Sequence, residues 1–159
     1  MAIYAFIDGQ NLIKGVEEQG WKLGYEKFRW YLKHKYVVEK AFWFVGYAEQ
    51  YQRIYDRLSR SGFDLIFKPT MPVKKGNKWE LKGNVDAEVV LHAMINYEKY
   101  DKAVLVANDG DYLCLAKHLM ENKKLKIMIS PNRAKTSGFL TSARIPLSYV
   151  DDLRHILEL

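Results

Sequence analysis

A three-layer α/β/α fold, with helices on both faces of a mostly parallel sheet of five to six strands, follows from three observations in this 159-residue sequence. Short runs rich in β-branched and aromatic residues alternate with segments whose apolar residues recur at helical spacing. Two of the runs, residues 2–7 and 103–107, stop at carboxylates: Asp8 follows the first, and Asp109 and Asp111 follow the second. Between Pro69 and Gly83 the alternation is broken by two short β-like arms around Gly76-Asn77, which predicts a hairpin protruding from the sheet.

The elements follow in order. Residues 2–7 give the first strand and 11–19 a short helix that Gly20 interrupts. Residues 25–35 carry Phe28, Tyr31 and Leu32 on one face and Lys27, Arg29, Lys33 and Lys35 on others, which predicts an amphipathic helix. Residues 37–47 read as a buried strand. Tyr47, Tyr51, Ile54, Tyr55 and Leu58 then recur at helical spacing until Ser61-Gly62 supplies a C-terminal cap. Residues 63–68 form the third strand, and the hairpin comes next. In the helix over 84–100, Asp86 shares a stripe with Val90, Ala93 and Tyr97, so its carboxylate is expected on the buried face. The strand over 103–107 leads into a helix that turns Tyr112, Leu115, Ala116 and Leu119 inward. A strand over 124–130, a basic loop with a helical turn over 131–142, a short strand over 145–150 and a terminal helix over 151–159 complete the chain. Without internal repeats or linkers, one domain spanning 1–159 is expected.

Right-handed crossovers place all the carboxyl ends of parallel strands on one edge of the sheet, the edge where ligands collect. Asp8, Asp109 and Asp111 therefore share an edge, and Asp86 can point to it. Each acid also has a local explanation. Asp109 suits a helix N-cap, while Asp86 and Asp111 suit first-turn positions that the helix dipole favours by about 0.3–1 kcal/mol. Asp8 directly follows a buried strand, where an acid needs a partner.

Brought together, these carboxylates would repel and raise one another's pKa unless a cation neutralised them. All-oxygen ligands suit a hard divalent ion, Mg²⁺ or Mn²⁺. Zinc is disfavoured, because His34, His92, His118 and His155 are scattered and Cys114 is the only cysteine. That lone cysteine, set in an apolar pattern, also excludes an intramolecular disulfide. The first residues lack the basic region of a signal peptide, and no run approaches the ~20 apolar residues of a membrane span. A cytoplasmic protein without a membrane partner is expected.

The net charge of +6 and pI near 9.2, with four Trp and eleven Tyr, suit a polyanion, because cations neutralise phosphates and aromatic faces stack on bases. A carboxylate-held metal on a basic protein points to phosphoryl chemistry. Neither a Ser–His–Asp or Cys–His arrangement nor a GxxxxGK[ST] phosphate loop is present. Asn11 could orient a carboxylate or a metal-bound water, or cap a helix.

Three ordered motifs, FIDGQN at 6–11, KGNVDAE at 82–88 and ANDGDY at 107–112, resemble the NYN subgroup of the PIN-like nucleases. The resemblance implies a compact PIN-like, Rossmann-like fold and divalent-metal-dependent cleavage of RNA by a carboxylate cluster. It assigns Asp8, Asp86, Asp109 and Asp111 to metal and catalysis and Asn11 to the DGxN pattern. The chain departs from the pattern in Ala107-Asn108, where Ser-Gly usually precedes the paired acids, and in Asn84, one residue more after Lys82-Gly83. It departs also in His92, where a second acid is common and for which Glu88 could stand in.

A metal-dependent ribonuclease is therefore expected. Lys74, Lys75, Lys78, Trp79 and Lys82 of the hairpin, with Arg133 and Lys135, would track the RNA, although such residues also occur as ordinary surface charge. The rival is an RNA- or partner-binding module of the same fold, in which the acids do no chemistry. An aspartyl-nucleophile phosphatase would place a second acid two residues after the first, where this chain has Gln10. Exposed aromatics and edge strands leave room for a homodimer.

Overall fold

The structure, a computed structural model, describes residues 1–82 and 84–159, with the backbone alone for 80–82. Its frame is a six-stranded sheet built from β1 (Ile3–Asp8), β2 (Lys40–Gly46), β3 (Asp64–Lys68), β6 (Lys102–Val106), β7 (Leu125–Ser130) and β8 (Leu147–Tyr149). The strands lie in the order β3-β2-β1-β6-β7-β8, and every neighbouring pair is parallel. The expected class is thus found, with a sheet that is parallel throughout. Between β3 and β6, β4 (Met71–Lys75) and β5 (Lys78–Lys82) form a separate antiparallel hairpin, turning where the Gly-Asn pair predicts.

Alternation along β1 divides the core. Ile3, Ala5 and Ile7 face a cluster completed by α1 (Gly9–Glu17), α2 (Tyr25–Tyr36), α3 (Gln52–Arg60) and α7 (Arg154–Leu157), through Leu12, Val16, Phe28, Leu32, Leu58 and Leu157. Phe6 faces the other way. There Val89 and Ala93 of α4 (Asp86–Ile95), Leu115 and Leu119 of α5 (Leu113–Glu121) and Leu140 of α6 (Gly138–Ser142) cover the sheet. With both faces covered, strands read as nearly continuous apolar runs, which is why β1 and β6 stand out in the sequence.

The order of strands fixes the edge on which the candidate site lies. After β1 the chain moves outward to β2 and β3; after β6 it moves the opposite way to β7 and β8. The carboxyl ends of β1 and β6 therefore flank the point where the winding reverses, the usual crevice for ligands in open α/β sheets. Asp8 closes β1, and Asp109 lies three residues beyond β6.

Several elements differ from expectation for local reasons. Val37 adopts the left-handed conformation at the end of α2 (φ 57°), so the second strand starts only at Lys40. Tyr47 is not helical, since its N–H donates to the carbonyl of Lys68 at 2.9 Å and prolongs the sheet. The helix over 84–100 stops at Ile95, because Asn96 folds back to the His92 carbonyl, and residues 97–99 form a 3₁₀ turn. Tyr112 belongs to a 3₁₀ turn ahead of α5, and the terminal segment is a 3₁₀ turn followed by the short α7. Cys114 is exposed. Among the described residues, no helix is long and apolar enough to cross a membrane.

The start of α1 is the tightest contact of the frame. A Cβ on Gly9 would stand 2.1 Å from Nε1 of Trp43, a side chain only 2% exposed and packed edge-on against Phe63 and Tyr25. Gly9→Ala should therefore cost about 1–3 kcal/mol through forced displacement of the indole. Gly138→Ala, where a Cβ meets nothing within 4 Å, should not lower the melting temperature. Equal melting temperatures for the two variants would contradict the close approach.

Candidate metal centre

Asp8 is 5% exposed, and its carboxylate is held at both oxygens. Oδ1 accepts the backbone N–H of Asn11 at 3.1 Å, which makes Asp8 the N-cap of α1. Oδ2 accepts the hydroxyl of Tyr112 at 2.8 Å. That phenol is 1% exposed, and Asp86 also lies close enough to act on it. Burial, with Asp8 and Asp86 beside it, pushes the Tyr112 pKa far up, which keeps the hydroxyl a donor.

One carboxylate oxygen from each of Asp8, Asp86 and Asp109 lies within 4.8 Å of the others. Asp86 is delivered by the first turn of α4, where its N–H donates to Oδ1 of Asn84 at 2.9 Å. Asp109 arrives on extended backbone just before the 3₁₀ turn and accepts no capping bond there, contrary to its local reading as an N-cap. Asp111 faces Asp86 at hydrogen-bonding range but is not one of the three. Two residues along a turn of three residues per revolution, its side chain leaves in a different direction from that of Asp109.

Electrostatics match the geometry. Burial drives the Asp8 pKa up to about 6; the bonds from Asn11 and Tyr112 oppose this, and Asp86 and Asp109 add to it. Asp86 is raised mainly by burial, with Asp111 and Asp109 contributing. Asp109 is raised by burial and by Asp111, against the pull of Lys14. Three crowded carboxylates that resist losing their protons form an all-oxygen donor set, which fits a hard divalent cation.

Asn11 does not turn toward the three acids. Its Nδ2 donates to Oδ1 of Asn108 at 2.8 Å, and its Oδ1 accepts the Asn108 N–H at 2.8 Å. This reciprocal pair clamps α1 to the segment that carries Asp109.

Residues 2–147 match the family model of the NYN domain. The chain belongs to the NYN domain family. The Low amplitude and bright protein LabA of Synechococcus elongatus (strain ATCC 33912 / PCC 7942 / FACHB-805) is 26% identical over 160 residues, spanning 96% of this chain and 86% of its own. A crystal structure of a protein of unknown function from Vibrio parahaemolyticus RIMD 2210633 shares the fold, with a TM-score of 0.78 and 22% identity over 99% of this chain and 96% of that one.

Within this NYN chain the departures from the motif pattern have structural roles. Asn84 receives the Asp86 N–H and, through its carbonyl, the Lys68 ammonium at 2.6 Å, so the extra residue starts α4 and aims Asp86. Asn108, 4% exposed, makes the clamp with Asn11, which glycine could not make on its side-chain half. His92 packs edge-on against Phe44 with ring centroids 5.4 Å apart. Glu88 pairs with Lys68 at 3.4 Å rather than joining the three aspartates. Tyr112 and Asn108 are the residues at the candidate site that sequence reasoning missed. The i,i+3 spacing of Asp109 and Tyr112 was the one signal available for the tyrosine.

The basic set divides. Lys74, Lys75, Lys78 and Trp79 are exposed on the hairpin, with Trp79 opposite Lys74. The Lys82 side chain and Gly83 lie outside the described residues. Lys135 is exposed. Arg133 is engaged instead: its guanidinium meets Asp152 at 2.7 and 3.1 Å and covers the Tyr149 ring at 4.2 Å. The pair is exposed on both sides, so a phosphate at Arg133 would compete with Asp152 for the guanidinium.

The raised Asp8 pKa has a definite sign for stability. Between the ordinary value of 3.8 and about 6, the folded state binds more protons than the unfolded state, so stability falls as pH rises through that window. Above it the buried charge costs about 3 kcal/mol. Without metal, wild type minus Asp8→Asn should therefore show a stability difference that shifts against the wild type as pH rises from 4 to 7. Parallel pH profiles in denaturant titrations would refute this.

Proposed function

We propose that this NYN-domain protein is a divalent-metal-dependent ribonuclease. Convergence of Asp8, Asp86 and Asp109 at the reversal point of the sheet is the observation that carries the reading. Mg²⁺ or Mn²⁺ held there would supply Lewis acidity toward a phosphodiester and a lowered pKa for water. Resemblance of the ordered motifs to the PIN-like nucleases supports the same chemistry.

The chain's own residues have distinct tasks. Tyr112 and the Asn11 N–H fix both oxygens of Asp8, so its charge is positioned before any ligand arrives. The Asn11–Asn108 clamp sets the distance between the β1 and β6 ends. Asp111, outside the three and next to Asp86, is placed to accept a proton from water on the open side. Lys14, Lys135 and the hairpin residues Lys74, Lys75, Lys78, Trp79 and Lys82 would hold the RNA backbone. We place this chemistry in the cytoplasm, on a single domain spanning 1–159.

In Mn²⁺, purified wild type should cleave single-stranded RNA. Asp8→Asn, Asp86→Asn and Asp109→Asn should each lose more than the roughly 10–100-fold typical of outer partners, a range that Asp111→Asn should occupy. RNA binding in Ca²⁺ should persist in all four. If the wild type cleaves neither single-stranded nor structured RNA in Mn²⁺ yet binds it, the binding-module reading replaces the enzyme.

A further inference from the structure

Beside the metal centre, on the opposite face of the sheet, α1 and α3 stand apart over β2 and leave a cleft of about 860 Å³. This is the size of a small-molecule site, roughly 300–1,000 Å³. Its floor is apolar and aromatic, formed by Ile13, Trp43, Val45, Ile54 and Tyr55. Tyr55 is fixed there by its hydroxyl, which donates to the Gly46 carbonyl at 3.3 Å and accepts the Ala48 N–H at 2.9 Å. The mouth is different: Gln10, Gln50 and the half-exposed ring of Tyr51 line it.

The cleft and the metal centre share a wall. Gly9, which follows Asp8 directly, lines the cleft, and Lys14 stands on α1 where it both borders the cleft and acts on Asp109. At the far end of the same helix, Glu17 and the capping residue Glu18 close the cleft with negative charge. An anionic backbone is therefore repelled from the interior and drawn to the Lys14 side, while a flat uncharged ring meets aromatic and amide groups.

We propose that this cleft takes one unstacked nucleobase of a single-stranded RNA whose backbone crosses the aspartate centre. The proposal rests on the ribonuclease reading and names its substrate class: single strands, because a base inside a duplex cannot leave the stack without cost. Tyr51 supplies the stacking face, Gln10 and Gln50 the amides for the base edge, and Lys14 the charge beneath the neighbouring phosphate.

The test is binding by fluorescence anisotropy in Ca²⁺, using a labelled six-nucleotide oligoadenylate, the same hexamer built of abasic ribose, and the hexamer annealed to oligouridylate. Tyr51→Ala, at an exposed position, should weaken the intact hexamer about tenfold. It should leave the abasic hexamer, the duplex and the Mn²⁺ affinity measured by calorimetry unchanged. Gln50→Ala should act in the same direction with a smaller loss. Equal weakening of intact and abasic strands, or none in either, overturns the proposal, as does adenosine monophosphate binding as tightly as the hexamer. Because the readout needs no cleavage, the two readings fail separately. Base-dependent binding lost in Tyr51→Ala, in a wild type that never cuts, sustains the cleft and removes the nuclease; cleavage by a wild type whose binding ignores Tyr51→Ala does the reverse.

Discussion

The Asp8 carboxylate is buried at the point where the sheet changes winding direction, and most of the edge that carries the candidate site is arranged around keeping it there. A buried charge without partners would simply stay protonated. Two donors work against that outcome: a free N–H of the first turn of α1, offered by Asn11, and the hydroxyl of Tyr112. Two more acids, Asp86 and Asp109, push the other way. The result is a group poised near pH 6, whose negative form is pre-positioned and whose electrostatic strain a cation would relieve.

Helix α1 is the element that converts this local balance into a site. Its first residue must be glycine, since Trp43 occupies the space of a side chain. Farther on, Gly15 packs against Pro131, its carbonyl accepts from Asn132, and Gln19 donates to the Pro131 carbonyl at 2.7 Å. With the Asn11–Asn108 clamp, α1 is thus tied to the segments leaving both β6 and β7. One helix fixes the relative positions of three strand ends, and its outer face borders the cleft.

Asp111 and Tyr112 show how the backbone decides roles that composition leaves open. Both follow β6 in a single 3₁₀ turn, yet the acid is exposed beside Asp86 while the phenol is driven into the core onto Asp8. Asn84 and Asn108 make a similar point. As departures from a motif they suggest lost function; in place, the first aims Asp86 and the second locks the β6 end to α1.

The sequence by itself determined the parallel α/β class, the hairpin and the strand-end positions of Asp8 and Asp109, because these rest on local periodicity and on the handedness of crossovers. It also brought Asp86 to the same edge, since a helix stripe carries directional information. Only the tertiary structure decided which carboxylates meet, that the Tyr112 hydroxyl holds Asp8, and that Arg133 is held by Asp152. Those outcomes depend on side chains 19 to 104 residues apart in the sequence, or on the pitch of a single turn. Burial, which sets the Asp8 pKa, is a property of what surrounds a residue and not of the residues beside it in the chain.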